Sequence, residues 1–320
     1  MKLSFVIPCY RSERTIEGVV NEIRASVELR PKVDYEIVMV CDHSPDGVFS
    51  VVERLCAGDP DHLKGFDLAR NFGQHAALMA GYSQVSGDYV VSLDDDGQTP
   101  VDAVWSMVDR LERDGLDVVY ASYDVKKHSL FRNFGSCMND LMACWLLNKP
   151  RALKVTSYFV ARRFVIEQVR EYDQAFPYVI GLVLRVTRNV ANVPVEHRKR
   201  EVGASGYTLA KLLGLWMNGF TAFSVKPLRG AALAGMAFSV VGFAFGVWTV
   251  CNKLFIHPDA PVGHSSLMSA VLFIGGMIML MLGLIGEYIG RIYLCISKSP
   301  QYVIARRTAR EQENKNGVEN

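Results

Sequence analysis

Apolar positions are spread unevenly along the chain. Two stretches, 230–251 (GAALAGMAFSVVGFAFGVWTVC) and 265–286 (SSLMSAVLFIGGMIMLMLGLIG), each run 22 residues without a formal charge. At about 1.5 Å rise per residue, each would make a helix of roughly 33 Å, enough for a hydrocarbon core of about 30 Å. Both are rich in Gly, Ala and Ser, which lets membrane helices approach closely. The competing reading is a pair of buried core helices, but two such lengths in succession exceed the usual globular range. The link between them is short and holds Pro258 and Pro261, so the two spans are expected to form a hairpin with both chain ends on one side.

Just upstream, residues 207–225 (YTLAKLLGLWMNGFTAFSV) place Leu209, Leu212, Leu213, Trp216, Phe220 and Phe223 at helical spacing. This predicts an amphipathic helix in the membrane interface, or one packed on a soluble domain. Residues 1–206 show a different rhythm. Short apolar runs (LSFVIPCY, EIVMVCD, GFDLARN, DYVVSLDDD, DVVYASY) alternate with amphipathic segments at 13–29, 74–86 and 100–113. That alternation predicts an α/β domain around a doubly wound, mostly parallel sheet. In such sheets ligands bind beyond the carboxyl ends of the strands. Those ends carry Asp42 and the triplet Asp94, Asp95 and Asp96.

Charge orients the hairpin. Lys226 and Arg229 precede the first span, and Arg291, Lys298, Arg306, Arg307 and Arg310 follow the second, while the link offers only Lys253. The positive-inside rule puts the N-terminal domain and the basic tail, 291–320, in the cytosol of a two-span protein of the inner (plasma) membrane. The tail is polar, and is expected to fray or to lie as a helix on the membrane surface. The net charge of +2 gives no argument for nucleic-acid binding. Seven cysteines, an odd number with no C-x-x-C, offer neither a disulfide framework nor a cysteine zinc site, as suits a reducing cytosol. MKLSFVIPCYRSE turns polar too soon for a signal-peptide core.

The strongest chemical signal is Leu93-Asp94-Asp95-Asp96-Gly97-Gln98-Thr99-Pro100. Three carboxylates at the mouth of an apolar strand repel one another, and a cation between them relieves the repulsion. Asp94 and Asp96 project to the same side if strand geometry persists, and Gln98 adds a neutral oxygen. Such ligands suit Mg²⁺ or Mn²⁺, which bind substrate phosphates. The bland reading is a solvated acidic turn before the next helix. Asp42-His43-Ser44-Pro45-Asp46-Gly47 offers an acid for a ribose or base, although Ser-Pro-Asp-Gly is also plain turn chemistry. Arg70 and Asn71 stand between a strand and a helix, where donors can meet a phosphate. His75 is a ligand, a base, or a residue packing at the helix start. Basic residues gather at Lys126, Lys127, His128 and Arg132, and again at 197–200. The second group lies where lipid headgroups or an anionic lipid substrate would be met.

Taken together, VIPCYRSERTI, VMVCDHSPDG, LARNFGQHAALMAG, SLDDDGQTP, VEHRKREVGASGYTLAKLL and FSVKPLR resemble membrane-anchored family 2 glycosyltransferases of the GT-A fold. The likeness is to the polyprenyl-phosphate branch, such as dolichol-phosphate mannose synthases. It implies a GT-A domain over 1–206, an interfacial helix over 207–228, two spans within 229–290, and the tail. It also implies inverting sugar transfer from a nucleotide diphosphate sugar to a polyprenyl phosphate, with self-association of the chain. By position, Pro8, Tyr10, Glu13, Asp42, Arg70 and Asp94 match nucleotide-sugar contacts. Asp94, Asp96 and Gln98 match metal ligands, with Mg²⁺ or Mn²⁺ implied. Asp94, Asp95 and Asp96 form the catalytic cluster, in which Asp95 could orient acceptor or sugar. Arg132, Arg200, Ser205 and Tyr207 match the acceptor and phosphate side. The sequence departs from the pattern at Arg11, His43 and Gly206, and in VTSYF (155–159), which lacks an acid. The alternatives are a saccharide or protein acceptor and a non-catalytic scaffold. The chain has no Arg-Trp pair of the processive synthases, and its intact triplet argues against a scaffold.

Overall fold

A computed structural model describes residues 1–123, 150, 153–196, 226–255, 264–297 and 299–309. The chain divides into two compact units, one of residues 1–208 with 298–320 and the other of 209–297.

Among the described residues, the first unit is built on an eight-stranded mixed sheet. In chain order its elements are β1 (Lys2–Cys9), α1 (Ile16–Glu28), β2 (Asp34–Cys41), α2 (Val48–Gly58), β3 (Leu63–Leu68), α3 (Gln74–Tyr82), β4 (Tyr89–Ser92) and α4 (Ala103–Arg113). These are followed by β5 (Val118–Tyr123), β6 (Phe159–Arg162), α5 (Arg163–Arg170), α6 (Val179–Val186) and β7 (Val190–Val195). After the helices of the second unit comes β8 (Ile304–Arg307). The sheet order is β7-β5-β6-β4-β1-β2-β3-β8. β4, β1, β2 and β3 run parallel, as the alternating pattern predicts. β6 runs antiparallel to both β4 and β5, a reversal that the simple β-α-β reading did not contain.

Burial on both faces explains why the central strands read as continuous apolar runs. On one face Leu3, Phe5, Ile7, Ile37 and Met39 pack with Val20 and Ile23 of α1, Val52 of α2 and Val108 of α4. On the other face α3 lies so close that a Cβ on Gly81 would stand 2.4 Å from Val6 Cγ1. Only glycine permits that approach. The helices are shorter than their apolar patterns suggest: α1 starts at Ile16, α3 ends at Tyr82 and α4 starts at Ala103.

The tail corrects an expectation. Instead of fraying or lying on a membrane as a helix, residues 304–307 form β8, antiparallel to β3 with Asp67 opposite Arg306. The physical reason is that β3 would otherwise expose a row of unpaired backbone groups at the sheet edge.

The second unit holds α7 (Lys226–Phe255) and α8 (His264–Ile296). Gly230–Trp248 and Phe273–Ile296 are long and apolar enough to cross a bilayer, with mean hydropathies of 1.8 and 1.7. Neither is buried by protein, and large side chains such as Phe243, Trp248 and Leu282 stand exposed. The second apolar window lies further along than 265–286, although α8 contains both. Phe238 and Phe273 meet edge to face at 5.9 Å between the two helices. The interfacial helix expected over 207–225 lies outside the described residues.

One buried charge pins the sheet far from its carboxyl ends. Glu36 has a side chain only 2% exposed, and it accepts hydrogen bonds from Ser4 Oγ at 2.6 Å, Lys64 Nζ at 2.9 Å and Ser86. Burial opposes its ionisation. The bonds from Ser4, Lys64 and Ser86 outweigh burial and bring the carboxyl down to about 2. A folded-state value below the ordinary 4.5 contributes stability that is full above pH 4.5 and is lost as pH falls toward 2. Glu36→Gln should therefore lower stability at neutral pH by about 2–4 kcal/mol. It should also flatten the loss of melting temperature between pH 5 and pH 3, measured on detergent-solubilised protein. An unchanged pH dependence would show that Glu36 is not the group responsible.

Candidate active site

The carboxyl ends of β1, β2, β3 and β4 deliver four loops to one rim of the sheet, in register through Cys9 opposite Cys41 and Cys41 opposite Asp67. The loop after β1 is tied to both neighbours. Arg11 N–H donates to Ser44 Oγ at 2.7 Å, Glu13 N–H to Asp46 at 3.1 Å and Gly47 N–H to Glu13 Oε2 at 3.0 Å. On the other side, Tyr10 N–H donates to Asp95 Oδ2 at 2.9 Å and Thr15 Oγ1 to the Asp95 carbonyl at 2.6 Å. Arg11 and His43 hold φ of 59° and 49°. Both are left-handed positions, where Asn or Gly is the easier residue. These are two of the points at which the sequence departs from the family pattern, so some backbone strain is stored in this rim.

Asp42 is buried, with its Oδ1 accepting from Phe72 N–H at 2.7 Å and its Oδ2 from Gly73 N–H at 2.8 Å. Burial raises its pKa, and those two amides partly offset the rise. Its visible work is to hold the loop between β3 and α3. That loop presents Arg70, exposed and stacked on the Phe72 ring at 4.6 Å, and Asn71, which donates to the Asp42 carbonyl at 3.3 Å. Gly73, at φ 94°, turns the chain into α3.

The three aspartates beyond β4 separate. Asp95 turns inward onto the β1 loop, and burial pushes its carboxyl up to about 6, against the hydrogen bond from the Tyr10 amide. Asp94 and Asp96 take other partners. Asp94 Oδ1 accepts from Gln74 Nε2 at 2.9 Å, and its Oδ2 accepts from Ser157 Oγ. Asp96 accepts from Gln98 twice, through N–H at 3.1 Å and Nε2 at 2.6 Å. Among the described residues no group of three His, Cys, Asp or Glu side chains gathers as a metal cage. Two half-exposed carboxylates beside an amide instead suit an open Mg²⁺ or Mn²⁺ position, whose remaining ligands are water and phosphate oxygens.

Of the other sequence candidates, Pro8 lies inside β1 opposite Val40, Tyr10 is exposed, and Glu13 faces Gly47. His75 packs edge-on against Tyr178 at 5.0 Å, and its Nδ1 is buried without a hydrogen-bond partner among the described residues. Burial lowers its pKa to about 4, which keeps the ring neutral near pH 7. Arg132, Arg200, Ser205 and Tyr207 lie outside the described residues. Sequence reasoning missed Gln74 and Ser157. They reach Asp94 across 20 and 63 positions, a separation that no local spacing reveals.

Comparison with known proteins agrees with this architecture. Residues 4–168 match the glycosyl transferase family 2 model, and residues 226–292 match the GtrB C-terminal hairpin. The undecaprenyl-phosphate 4-deoxy-4-formamido-L-arabinose transferases of Yersinia pestis (strain Pestoides F) and Yersinia pseudotuberculosis serotype O:3 (strain YPIII) are each 34% identical, over 99% of this chain and 97% of theirs. Glucosyl-3-phosphoglycerate synthase of M. tuberculosis, solved with Mn²⁺, uridine diphosphate and glucosyl-3-phosphoglycerate, shares the fold. Its TM-score is 0.51 at 19% identity, covering 69% of this chain and 77% of that one. The fold and the rim of loops thus define a glycosyltransferase with a GT-A domain. The chain belongs to glycosyl transferase family 2 and carries a GtrB-type hairpin as its membrane anchor.

Gln74 is exposed and holds one oxygen of Asp94. Gln74→Ala should lower sugar transfer by about tenfold, the usual effect of releasing a group that orients a ligand, with little change in melting temperature. Wild-type turnover in the purified variant would show that Asp94 needs no such support.

Proposed function

We propose that this enzyme transfers a sugar from a nucleotide diphosphate sugar to a polyprenyl phosphate of the undecaprenyl phosphate type, with inversion, at the cytosolic face of the inner membrane. The observation that carries the reading is the parting of the acidic triplet at the end of β4, with Asp95 inward and Asp94 and Asp96 held by separate donors. The names of the 34% identical Yersinia relatives support the acceptor, and the basic residues flanking the hairpin support the cytosolic orientation. The small residues of the two spans support self-association.

Asp94, Asp96 and Gln98 would hold Mg²⁺ or Mn²⁺, the first of these ions' possible partners being the donor diphosphate. The Mn²⁺ complex of the mycobacterial synthase is consistent with that choice. When bound, the ion supplies positive charge for the departing nucleoside diphosphate. The chain's own residues do the rest. Pro8, Tyr10 and Glu13 shape the loop beneath the nucleotide, and Asp42 fixes the loop that offers Arg70 to the donor. Gln74 and Ser157 orient Asp94.

The acceptor brings its own nucleophile. A phosphomonoester with a second pKa near 6 is largely ionised at neutral pH, so a strong general base is unnecessary. What the reaction needs is screening, because two anions must approach. Arg132 and Arg200 are assigned that task, with Ser205 and Tyr207 beside them, since the arginine fork matches phosphate oxygens. Asp95, bonded to the β1 loop, positions the rim from beneath and orients the sugar or acceptor through it.

Two substitutions test the assignment. Asp96→Ala should abolish transfer, by at least about a thousandfold, while the protein still inserts and folds. Near-normal activity would refute the metal role. Arg200→Ala should raise the KM for undecaprenyl phosphate and leave the donor KM alone. An unchanged acceptor dependence would remove Arg200 from the acceptor side.

A further inference from the structure

The basic tail had no function in the sequence beyond its positive charge, yet it returns from the hairpin to cross the catalytic unit. Gln301 Nε2 donates to the carbonyls of Tyr172 and Gln174 at 3.1 and 3.0 Å, and the Tyr302 hydroxyl lies 2.8 Å from Ser83 Oγ at the end of α3. Ala69 N–H then donates to the Val303 carbonyl at 2.8 Å, at the root of the loop that carries Arg70. β8 follows. Thr308 closes it, exchanging backbone and hydroxyl bonds with Gly65 at 3.0 and 3.3 Å.

Arg306 is the centre of this strap. Its Nη2 and Nε reach Asp67 Oδ2 at 2.7 and 3.0 Å, and its guanidinium lies 4.3 Å over the Phe49 ring. Asp67 is buried and sits opposite Cys41, immediately before Asp42. Burial is the main cause that raises the Asp42 carboxyl, and the nearby charge of Asp67 adds a smaller push in the same direction. Asp42 must be ionised to accept strongly from both Phe72 and Gly73. A guanidinium on Asp67 offsets part of the repulsion that would weaken that grip.

We infer that Arg306 is a positioning residue for the donor, acting through Asp67 and Asp42 to fix the loop of residues 69–74, so that the segment following the membrane hairpin completes the nucleotide-sugar site. The inference rests on the sugar-transfer reading above. It places the donor side under the control of residues more than 200 positions away from it in sequence.

The test uses the full-length protein in nanodiscs, with Arg306→Ala and Arg306→Lys beside wild type. Hydrogen exchange is read at Phe72 and Gly73, and KM is measured separately for donor and for undecaprenyl phosphate. Arg306→Ala should speed exchange of those two amides and raise the donor KM, each by about tenfold. The acceptor KM and the protection of β1 and β2 should hold. Arg306→Lys, which keeps the charge but not the fork or the stack, should recover part of both effects. Unchanged exchange, an unchanged donor KM, or an equal loss of protection across the whole sheet would overturn the inference. A wild-type protein inert toward every nucleotide sugar would overturn instead the reading on which it rests, and shows itself before any variant is compared.

Discussion

Three consecutive carboxylates at one strand end are the constraint around which this rim is arranged. Left together they repel, and the strand would end in a mobile acidic turn. The chain resolves this by turning Asp95 inward, where the Tyr10 amide and the Thr15 hydroxyl bond its carboxylate and carbonyl. Asp94 and Asp96 remain half-exposed on partners of their own, Gln74 and Ser157 for one and Gln98 for the other. The separation ties the loop after β1 to the end of β4, and Glu13 and Asp46 extend the tie to the loop after β2. Asp42 then adds the loop after β3. Four strand ends thus become one surface through side-chain-to-backbone bonds, which hold geometry better than solvated side chains could.

The α/β rhythm was legible because the central strands are buried on both faces, so apolar runs such as FVIPC and IVMVC stand out without alternation. The two long uncharged stretches were legible for the simpler reason of length. What the sequence concealed was the antiparallel β6 and the tail strand β8. IARR is four residues with two arginines, and nothing local distinguishes it from a solvated basic run. Its strand character comes from the open edge of β3 and from a buried Asp67 waiting for a cation, both distant in sequence.

The candidate site divides in the same way. The acidic triplet, Asp42 and Arg70 could be picked out because charged residues at the ends of apolar runs are conspicuous. How they are used could not. Asp42 reads in sequence as a ligand contact, and in the fold its two oxygens hold the amides of Phe72 and Gly73. Gln74 and Ser157, neutral and ordinary in sequence, are the groups that fix Asp94. Arg11 and His43 looked like departures of composition and prove to be backbone positions with φ above zero.

The central claim is that a divalent cation beside Asp94 and Asp96 enables a lipid phosphate to displace a nucleotide from a sugar. The most direct measurement follows radiolabelled sugar into the organic phase with purified protein, undecaprenyl phosphate and a panel of nucleotide sugars. It is made before and after removal of divalent cations with a chelator, and again after Mn²⁺ or Mg²⁺ is restored. The account predicts a labelled lipid that vanishes on chelation and returns with the metal. Labelled lipid formed equally well in the chelated sample would contradict it.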